Sequence, residues 1–535
     1  MSAKLMRPGA MLIAIAFTLS TLTAQPVAAK ITPFKQGVAE AAGENRDLAE
    51  FYRETDYAPL WTGTDALSTA RRAALLRALE DAGLHGLPGG RYDLSGLETR
   101  LQSATSSRAL GQLEVEMSTL FLQYARDIQT GILTPREVDD GIVRKIPYRD
   151  QAVLIRDFAK ASPASFMRTL PPQTPEYARL MKEKLRLERL IANGGWGEAV
   201  GVSKLEPGAS GAPVVQLRNR MMAMGYLGRT STQSYDRKMR LAVTRFQEDH
   251  GLVADGVAGQ GTLRAINTSA ETRLGQVLVA MERERWINKP LGKRHVWVNI
   301  TDFHARIVDD GKVTFQTRSV VGHRDLDRRT PEFSDVMEHL VINPTWNVPR
   351  SIATKEYLPL LQQNPYAVSH LQLVDRRGRI ISRERIEDFN QFDERTFPFN
   401  MKQPPSRSNA LGLVKFMFPN RYNIYLHDTP QKALFGRETR AFSHGCVRLN
   451  DPFDFAYALL AVQEDDPKGF FQARLGSGRE TQVDLNDHVP VHLVYRTAFT
   501  QAKGKMQFRQ DVYGRDAKIW QALKRAGVSL GDVQG

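Results

Sequence analysis

The hydrophobic period of this 535-residue chain changes once, and that change limits the folds open to it. From about Ala39 to Gly195 apolar residues recur every three or four positions, the spacing of one helix face. "STARRAALLRALEDAG" shows the pattern, with Ala70, Ala74, Leu75 and Leu79 on one stripe and Gly83 as the expected stop. "LEVEMSTLFLQYARDI" and "PEYARLMKEKLRLERLIANGG" repeat it. After one more helical stretch, "LGQVLVAMERERW", the period drops to two. "HVWVNITDFHARIVDDGKVTFQTRSVVG" alternates apolar and polar residues around an Asp310-Gly311 hairpin turn. "SDVMEHLVINPTWNVP" and "LGLVKFMFPNRYNIYLHDTP" continue as strands. Residues 350–405 break the run with a helix, "SIATKEYLPLLQQN", that Ser351 is expected to cap, and a basic stretch, "DRRGRIISRER". An insertion of that length in a β domain reads as a binding loop or lid. Past residue 450, Asp451-Pro452 opens a helix over "PFDFAYALLAVQ". "VPVHLVYRTAFTQAKGKMQFRQDVYGRD" reads as a terminal hairpin and "AKIWQALKRAG" as a last helix. The expected fold is multidomain α+β, helical first and mainly β after.

The first 29 residues have a basic start at Lys4 and Arg7, an apolar run from Ala10 to Ala24, and small residues at Val27, Ala28 and Ala29. This is the pattern of a cleaved secretory signal. The run is shorter than the roughly 20 apolar residues a membrane span needs, and no later stretch is long and apolar enough, so no stable span is expected after cleavage. A formal charge of +14 favours an anionic partner. Outside the cytoplasm that partner is a carboxylate-rich wall polymer or a membrane surface rather than nucleic acid.

An oxidising compartment favours paired cysteines, yet the chain has one, Cys446 in "AFSHGCVRLND". A lone thiol there is a reactive group or an intermolecular link, and its setting between Gly445 and Arg448 is not that of an inert core cysteine. His427 ends the strand "NIYLHDTP", where Ile424 and Leu426 form the core pair and Tyr425 and His427 face the other way. The intervening Gly/Arg-rich stretch can return the chain beside it. An imidazole next to a thiol can take its proton, and Cys plus His is the minimum set for acyl transfer. Gly445 permits the sharp backbone that would aim N–H groups at an oxyanion. Arg448, on the same face as Cys446 in an extended segment, is suited to a substrate carboxylate.

These residues match a family. His427 followed by Ser443-His444-Gly445-Cys446-Val447-Arg448 resembles the signature of L,D-transpeptidases, and "AVTRFQEDHGLVADGVAGQGT" resembles the three-helix peptidoglycan-binding module. The whole resembles the long periplasmic members. That implies a signal peptide at 1–29, a helical scaffold at 30–205, the wall-binding module at 206–270 and a helical linker at 271–293. A mainly β catalytic domain at 294–475 with a capping insertion at 350–405, and a C-terminal hairpin and helix at 476–535, would complete it. The resemblance implies that Cys446 attacks the third residue of a donor tetrapeptide stem, D-alanine leaves, and an acceptor amine takes the acyl group in a 3→3 cross-link. His427 would be the general base, and Ser443, His444, Gly445 and Arg448 the oxyanion and substrate-binding set, with main-chain groups of His444 and Gly445 in the oxyanion hole. A carbonyl at Asp428 or Ser443 would orient His427. Carbapenems are implied as covalent inhibitors; no cofactor or metal is implied. The alternatives are L,D-carboxypeptidase or exchange activity on the same stems, and a wall-binding protein without catalysis. A sortase lacks this nucleophile context, and a zinc site from His427, His444, Cys446 and Asp428 lacks ligand spacing.

Overall fold

The computed structural model describes residues 31–501 and 505–530; the segment read as a secretory signal lies outside the described residues. Residues 33–192 form helices around a core that includes Tyr52, Trp61, Phe121 and Phe158. The stripe read at Ala70–Leu79 is a helix over Ala66–Glu80, capped by Asp65 through the N–H groups of Leu67 and Ser68. It does not stop at Gly83. The chain tightens into a 3-10 turn and leaves it at Gly86, whose φ of +70° is the left-handed conformation that ends such turns.

The three-helix unit follows, with helices Ala212–Ala223, Arg237–Asp249 and Gln260–Asn267 around Leu217, Met239, Val243, Phe246 and Leu263. Gln247 explains why a polar residue follows the core Phe246. It is buried, accepts the Gly256 N–H at 2.8 Å, and donates to Asp255 Oδ1 at 2.8 Å and the Val257 carbonyl at 2.9 Å. One side chain thereby fixes the Asp255-Gly256 turn.

The alternating half of the chain builds a nine-stranded sheet. Its order is Ala441–Ser443, Lys312–Gly322, Val447–Leu449, Leu426–His427, Val414–Met417, Phe333–Ile342, Thr481–Val494, Arg294–Asn299, His304–Asp309. The last strand pairs again with Lys312–Gly322, so the pairings run in a closed circuit. Asp310 and Gly311, with φ of +47° and +77°, make the expected hairpin turn in that circuit. Thr481–Val494 corrects the reading of a C-terminal hairpin. It is a central strand, parallel to Arg294–Asn299 and antiparallel to Phe333–Ile342. Only Ala498–Thr500 and Met506–Phe508 form the small hairpin. The helix Pro452–Leu460 packs Phe455 and Leu459 into the barrel core.

The insertion has a four-stranded sheet and a core of its own, with Leu358, Leu361, Leu373, Phe389, Phe397 and Met401. Its helix starts at Arg350 after Pro349, so Ser351 lies inside it and is not the cap. A π-turn at Ala353–Tyr357 interrupts that helix.

The stretch read as a linker is a helix, Ala270–Trp286, buried along most of its length. Its last turn carries Glu282, Arg283, Glu284 and Arg285, all inaccessible. Arg283 reaches Glu332 of the barrel at 2.6 Å and Asp516 of the C-terminal helix at 2.7 Å. Burial opposes its charge, and these two carboxylates nonetheless hold it protonated above its ordinary range. Arg283→Met would leave Glu332 and Asp516 buried without that partner, a change that costs about 3–5 kcal/mol. Denaturant unfolding of the full chain, followed by circular dichroism, should show that loss. A shift below about 1 kcal/mol, the range of an exposed pair, would mean the network does not hold the parts together.

Candidate active site

Pairing sets the site. The strands Leu426–His427 and Val447–Leu449 run parallel with Leu426 opposite Val447 and His427 opposite Arg448. His427 therefore ends one strand while Cys446 stands just before its neighbour. Ile424 and Leu426 enter the barrel core as read from the sequence, and Tyr425 and His427 share the other face with rings 5.6 Å apart, edge to face. Tyr425 touches the barrel core and the insertion core alike, so the site sits where the two meet.

His427 is buried, and its Nδ1–H donates to the Asp428 carbonyl at 2.5 Å. Of the two carbonyls expected for this contact it is that of Asp428, not Ser443. A carbonyl only accepts, so the proton is on Nδ1 and Nε2 is left bare. Burial, and then the charge of Arg448, push the imidazole down to about 3, although the carbonyls of Asp428 and Leu411 pull the other way. The Asp428 carboxylate is occupied by the Leu413 N–H at 2.9 Å and Lys432 at 2.7 Å.

The thiol sits on a turn that three contacts fix. Gly445 has φ +113°, where an L side chain is strained, and a Cβ there would lie 3.1 Å from Ile424 Cδ1. Ser443 Oγ donates to the Cys446 carbonyl at 2.5 Å and accepts the Gly445 N–H at 3.1 Å. Thr330 Oγ1 donates to the Gly445 carbonyl at 2.7 Å. This corrects the expectation for Gly445: its N–H is already engaged. The N–H groups of His444 and Cys446 have no partner among the described residues, and they are the pair free to face an oxyanion. Ser443 is buried and holds the turn from inside.

Cys446 itself is half-buried, and its Sγ–H lies 3.4 Å from the Asn423 carbonyl. Asn420 shapes that neighbouring loop, donating to the carbonyls of Phe418 at 2.6 Å and Ile424 at 2.8 Å. Burial pushes the thiol up to about 11; contacts from Tyr425 and the charge of Arg448 pull it down by less. No hydrogen bond joins the thiol to the His427 ring among the described residues, and burial favours the neutral form of each.

Arg448 is half-buried, donates to Gln431 Oε1 at 2.6 Å, and has a buried Nε without a partner. The His444 ring turns outward to Glu356 Oε1 at 2.6 Å, and Glu356 also meets Arg328 at 3.0 Å. Glu356 lies in the π-turn of the insertion, which is thus tied to the nucleophile turn. Sequence reading missed Glu356, Thr330 and Asn420. Nothing in the local sequence marks Glu356 or Thr330, because each acts on a residue far along the chain, whereas Asn420 acts within its own loop.

Three family models match parts of the chain. Residues 46–183 match a family model described as "Scaffold domain", 210–266 one described as "Putative peptidoglycan binding domain", and 293–471 one described as "L,D-transpeptidase catalytic domain". A "Putative L,D-transpeptidase" of Haemophilus influenzae is 32% identical over 272 residues, 49% of this chain and 53% of the relative. The chain thus matches about half the length of that relative. Among solved structures, an L,D-transpeptidase of Xylanimonas cellulosilytica is 15% identical, with 55% of this chain and 100% of that one covered and a TM-score of 0.17. One from Stackebrandtia nassauensis is also 15% identical, with 55% and 95% covered and a TM-score of 0.21. Residues 293–471 thus match the L,D-transpeptidase catalytic domain, and residues 210–266, ahead of them, match a peptidoglycan-binding domain.

Proposed function

We propose that this protein is a periplasmic L,D-transpeptidase that forms 3→3 peptidoglycan cross-links through a thioester on Cys446. One observation carries the reading: the chain's single thiol sits on a glycine turn with two N–H groups unpaired among the described residues, beside a histidine whose Nδ1–H is held by a carbonyl. The wall-polymer domains favour a site of action outside the cytoplasm, and among the described residues no helix is long and apolar enough to cross a membrane.

The chemistry follows from neutral partners. As Sγ attacks the donor carbonyl, its proton passes to His427 Nε2, and the N–H groups of His444 and Cys446 receive the developing oxyanion. His427 then gives that proton to the departing amine of D-alanine, and the C–N bond breaks to leave the thioester. An acceptor amine attacks the same carbonyl, loses its proton to His427, and the sulfur departs and is reprotonated. Arg448, whose Nη1 is held by Gln431, would take a carboxylate of the stem.

Cys446→Ala should release no D-alanine from tetrapeptide donors while unfolding as the wild type does. His427→Ala should lose about 10²–10⁴-fold, the usual worth of a general base. His444→Ala should lose less, because its ring holds the insertion and its N–H survives. Mass analysis of the muropeptides reads all three; normal turnover by Cys446→Ala would overturn the nucleophile assignment.

The neutral thiol sets a pH dependence. With its proton held up to about pH 11, the thiolate fraction at Cys446 rises roughly tenfold per pH unit across the neutral range. Alkylation by iodoacetamide should climb from pH 6 to pH 10 without levelling. A plateau below pH 8 would reveal a resting thiolate–imidazolium pair instead.

A strained β-lactam offers the same carbonyl chemistry. Carbapenem treatment should add one acyl group to the intact protein, absent in Cys446→Ala and slow to form in His427→Ala. An adduct that persists in Cys446→Ala would place the reactive group elsewhere, since the chain holds no second cysteine.

A further inference from the structure

Away from Cys446, a cavity of about 750 Å³ opens where the three-helix module meets the outer wall of the barrel. The module contributes the end of the helix Arg237–Asp249, the helix Gln260–Asn267 and the start of the long helix after it. The barrel side contributes residues 301–304, Arg318 and 435–440, and residues 508–511 close the back. Its size is that of a ligand site, within the usual few hundred to about 1,000 Å³.

Its charge is unbalanced. Arg264, Arg318 and Arg437 line it, are exposed, and have no side-chain partner among the described residues. Two more arginines line it from buried positions without touching a carboxylate. Arg273 is only 6% exposed; it donates to Gln276 Oε1 at 2.9 Å and the Ala265 carbonyl at 3.1 Å, and lies 4.4 Å over the Phe508 ring. Arg440 is 9% exposed and donates to the carbonyls of Ser319, Arg437 and Phe303. Burial draws both down to about 10, and the neighbouring Arg318 adds to the effect at Arg440. The acids nearby do not cancel this. Six arginines line the cavity against four carboxylates, Glu248, Asp302, Glu438 and Asp511, and Asp302 is taken by Arg306 and Arg509. Buried cations held only by neutral dipoles are costly, and an anion between them removes that cost.

A second cavity, of about 570 Å³, meets the first at Ala265, Arg273 and Phe508. Tyr226 and Trp196 line it, and the buried indole N–H of Trp196 has no acceptor. Arginines on one side and aromatic rings with a spare donor on the other suit a polymer that carries both carboxylates and sugar rings.

We infer that this cleft is a second binding site, separate from the catalytic turn, that holds a carboxylate-bearing segment of a cell-wall glycopeptide strand. The choice of polymer rests on the function proposed above; the anionic chemistry rests on the cleft alone. Arg318 and Arg437 belong to the catalytic domain and Arg264 to the module, so the site exists only where the two meet. A strand held there is tethered near the barrel, which raises its local concentration at the thiol.

The test is binding of the full chain to glycan strands with free stem carboxylates and to the same strands after amidation. Combined Arg264→Glu, Arg318→Glu and Arg437→Glu should weaken binding to the free strands by about tenfold or more. Amidated strands should bind the wild type about as weakly. A control with the same change of charge, Lys145→Glu, Lys160→Glu and Arg168→Glu at exposed positions of the helical region, should stay within about twofold. Release of D-alanine from a small soluble tetrapeptide should be unchanged in both. Should the triple variant not fold, Arg264→Gln and Arg318→Gln, singly at exposed positions, read the same binding. Unchanged binding in the cleft variants, an equal loss in the control, or indifference to amidation would each overturn the proposal. Absence of D-alanine release from the wild type would instead count against the catalytic reading and leave the binding comparison to decide the cleft.

Discussion

Four consecutive charges, Glu282 to Arg285, hold this molecule together from inside. Successive residues on a helix point about 100° apart, so four in a row face every side. Each here finds a different part of the chain. Glu282 accepts the Leu133 N–H at 3.0 Å and pairs with Arg285 at 3.0 Å. Arg283 takes Glu332 and Asp516, Glu284 takes Arg496, and Arg285 donates to the His85 carbonyl and, at 3.0 Å, to the Tyr177 hydroxyl. Apolar packing alone is non-directional and tolerates small rotations of one body against another. Buried ions do not, because a misplaced one keeps its full desolvation cost. The helical region, the barrel and the C-terminal helix are therefore fixed to one axle in one arrangement.

That fixation extends to the chemistry through contiguous contacts. Arg515, from the C-terminal helix, pairs with Glu332 at 3.3 Å and donates to the Thr330 carbonyl at 3.2 Å. The Tyr513 hydroxyl donates to the Gly322 carbonyl at 2.6 Å and accepts the Thr330 N–H at 3.3 Å. Thr330, held at both main-chain groups, then donates its hydroxyl to the Gly445 carbonyl. The turn that aims the N–H groups of His444 and Cys446 is thus supported by the ion network beneath it. Glu356 holds the same turn from the other side, so the insertion and the axle grip it between them.

The sequence made some of this legible and hid the rest for physical reasons. Period and turn chemistry are local, so the change from helices to strands and the Asp310-Gly311 hairpin could be read from short stretches. Cys446 and His427 could be read because the thiol is alone and the strand face is set by Ile424 and Leu426. The axle could not. "MERERW" has the composition of a solvated linker, and only partners as far along the chain as Asp516 turn it into a core. Thr481–Val494 alternates as any hairpin strand does; that it is central depends on Phe333–Ile342 and Arg294–Asn299, which nothing local announces. The engaged N–H of Gly445 was equally hidden, since whether a serine two residues earlier bends back depends on the turn itself.

The neutrality of the site bears on the question of the lone thiol. A thiolate is the form that oxidants and disulfides attack, and an exposed one would not last in an oxidising compartment. Burial here pushes the thiol up and the imidazole down at once, which favours a resting pair without charge. On the function proposed above, the same burial makes the pair useful when a donor stem arrives. A carbonyl placed against the free N–H groups gives the sulfur's electrons somewhere to go, and the proton can pass to the bare Nε2 in the same motion. Developing charge would then be met by fixed N–H dipoles that need no reorganisation. In that proposal one cysteine suffices, because its reactivity depends on the substrate being present.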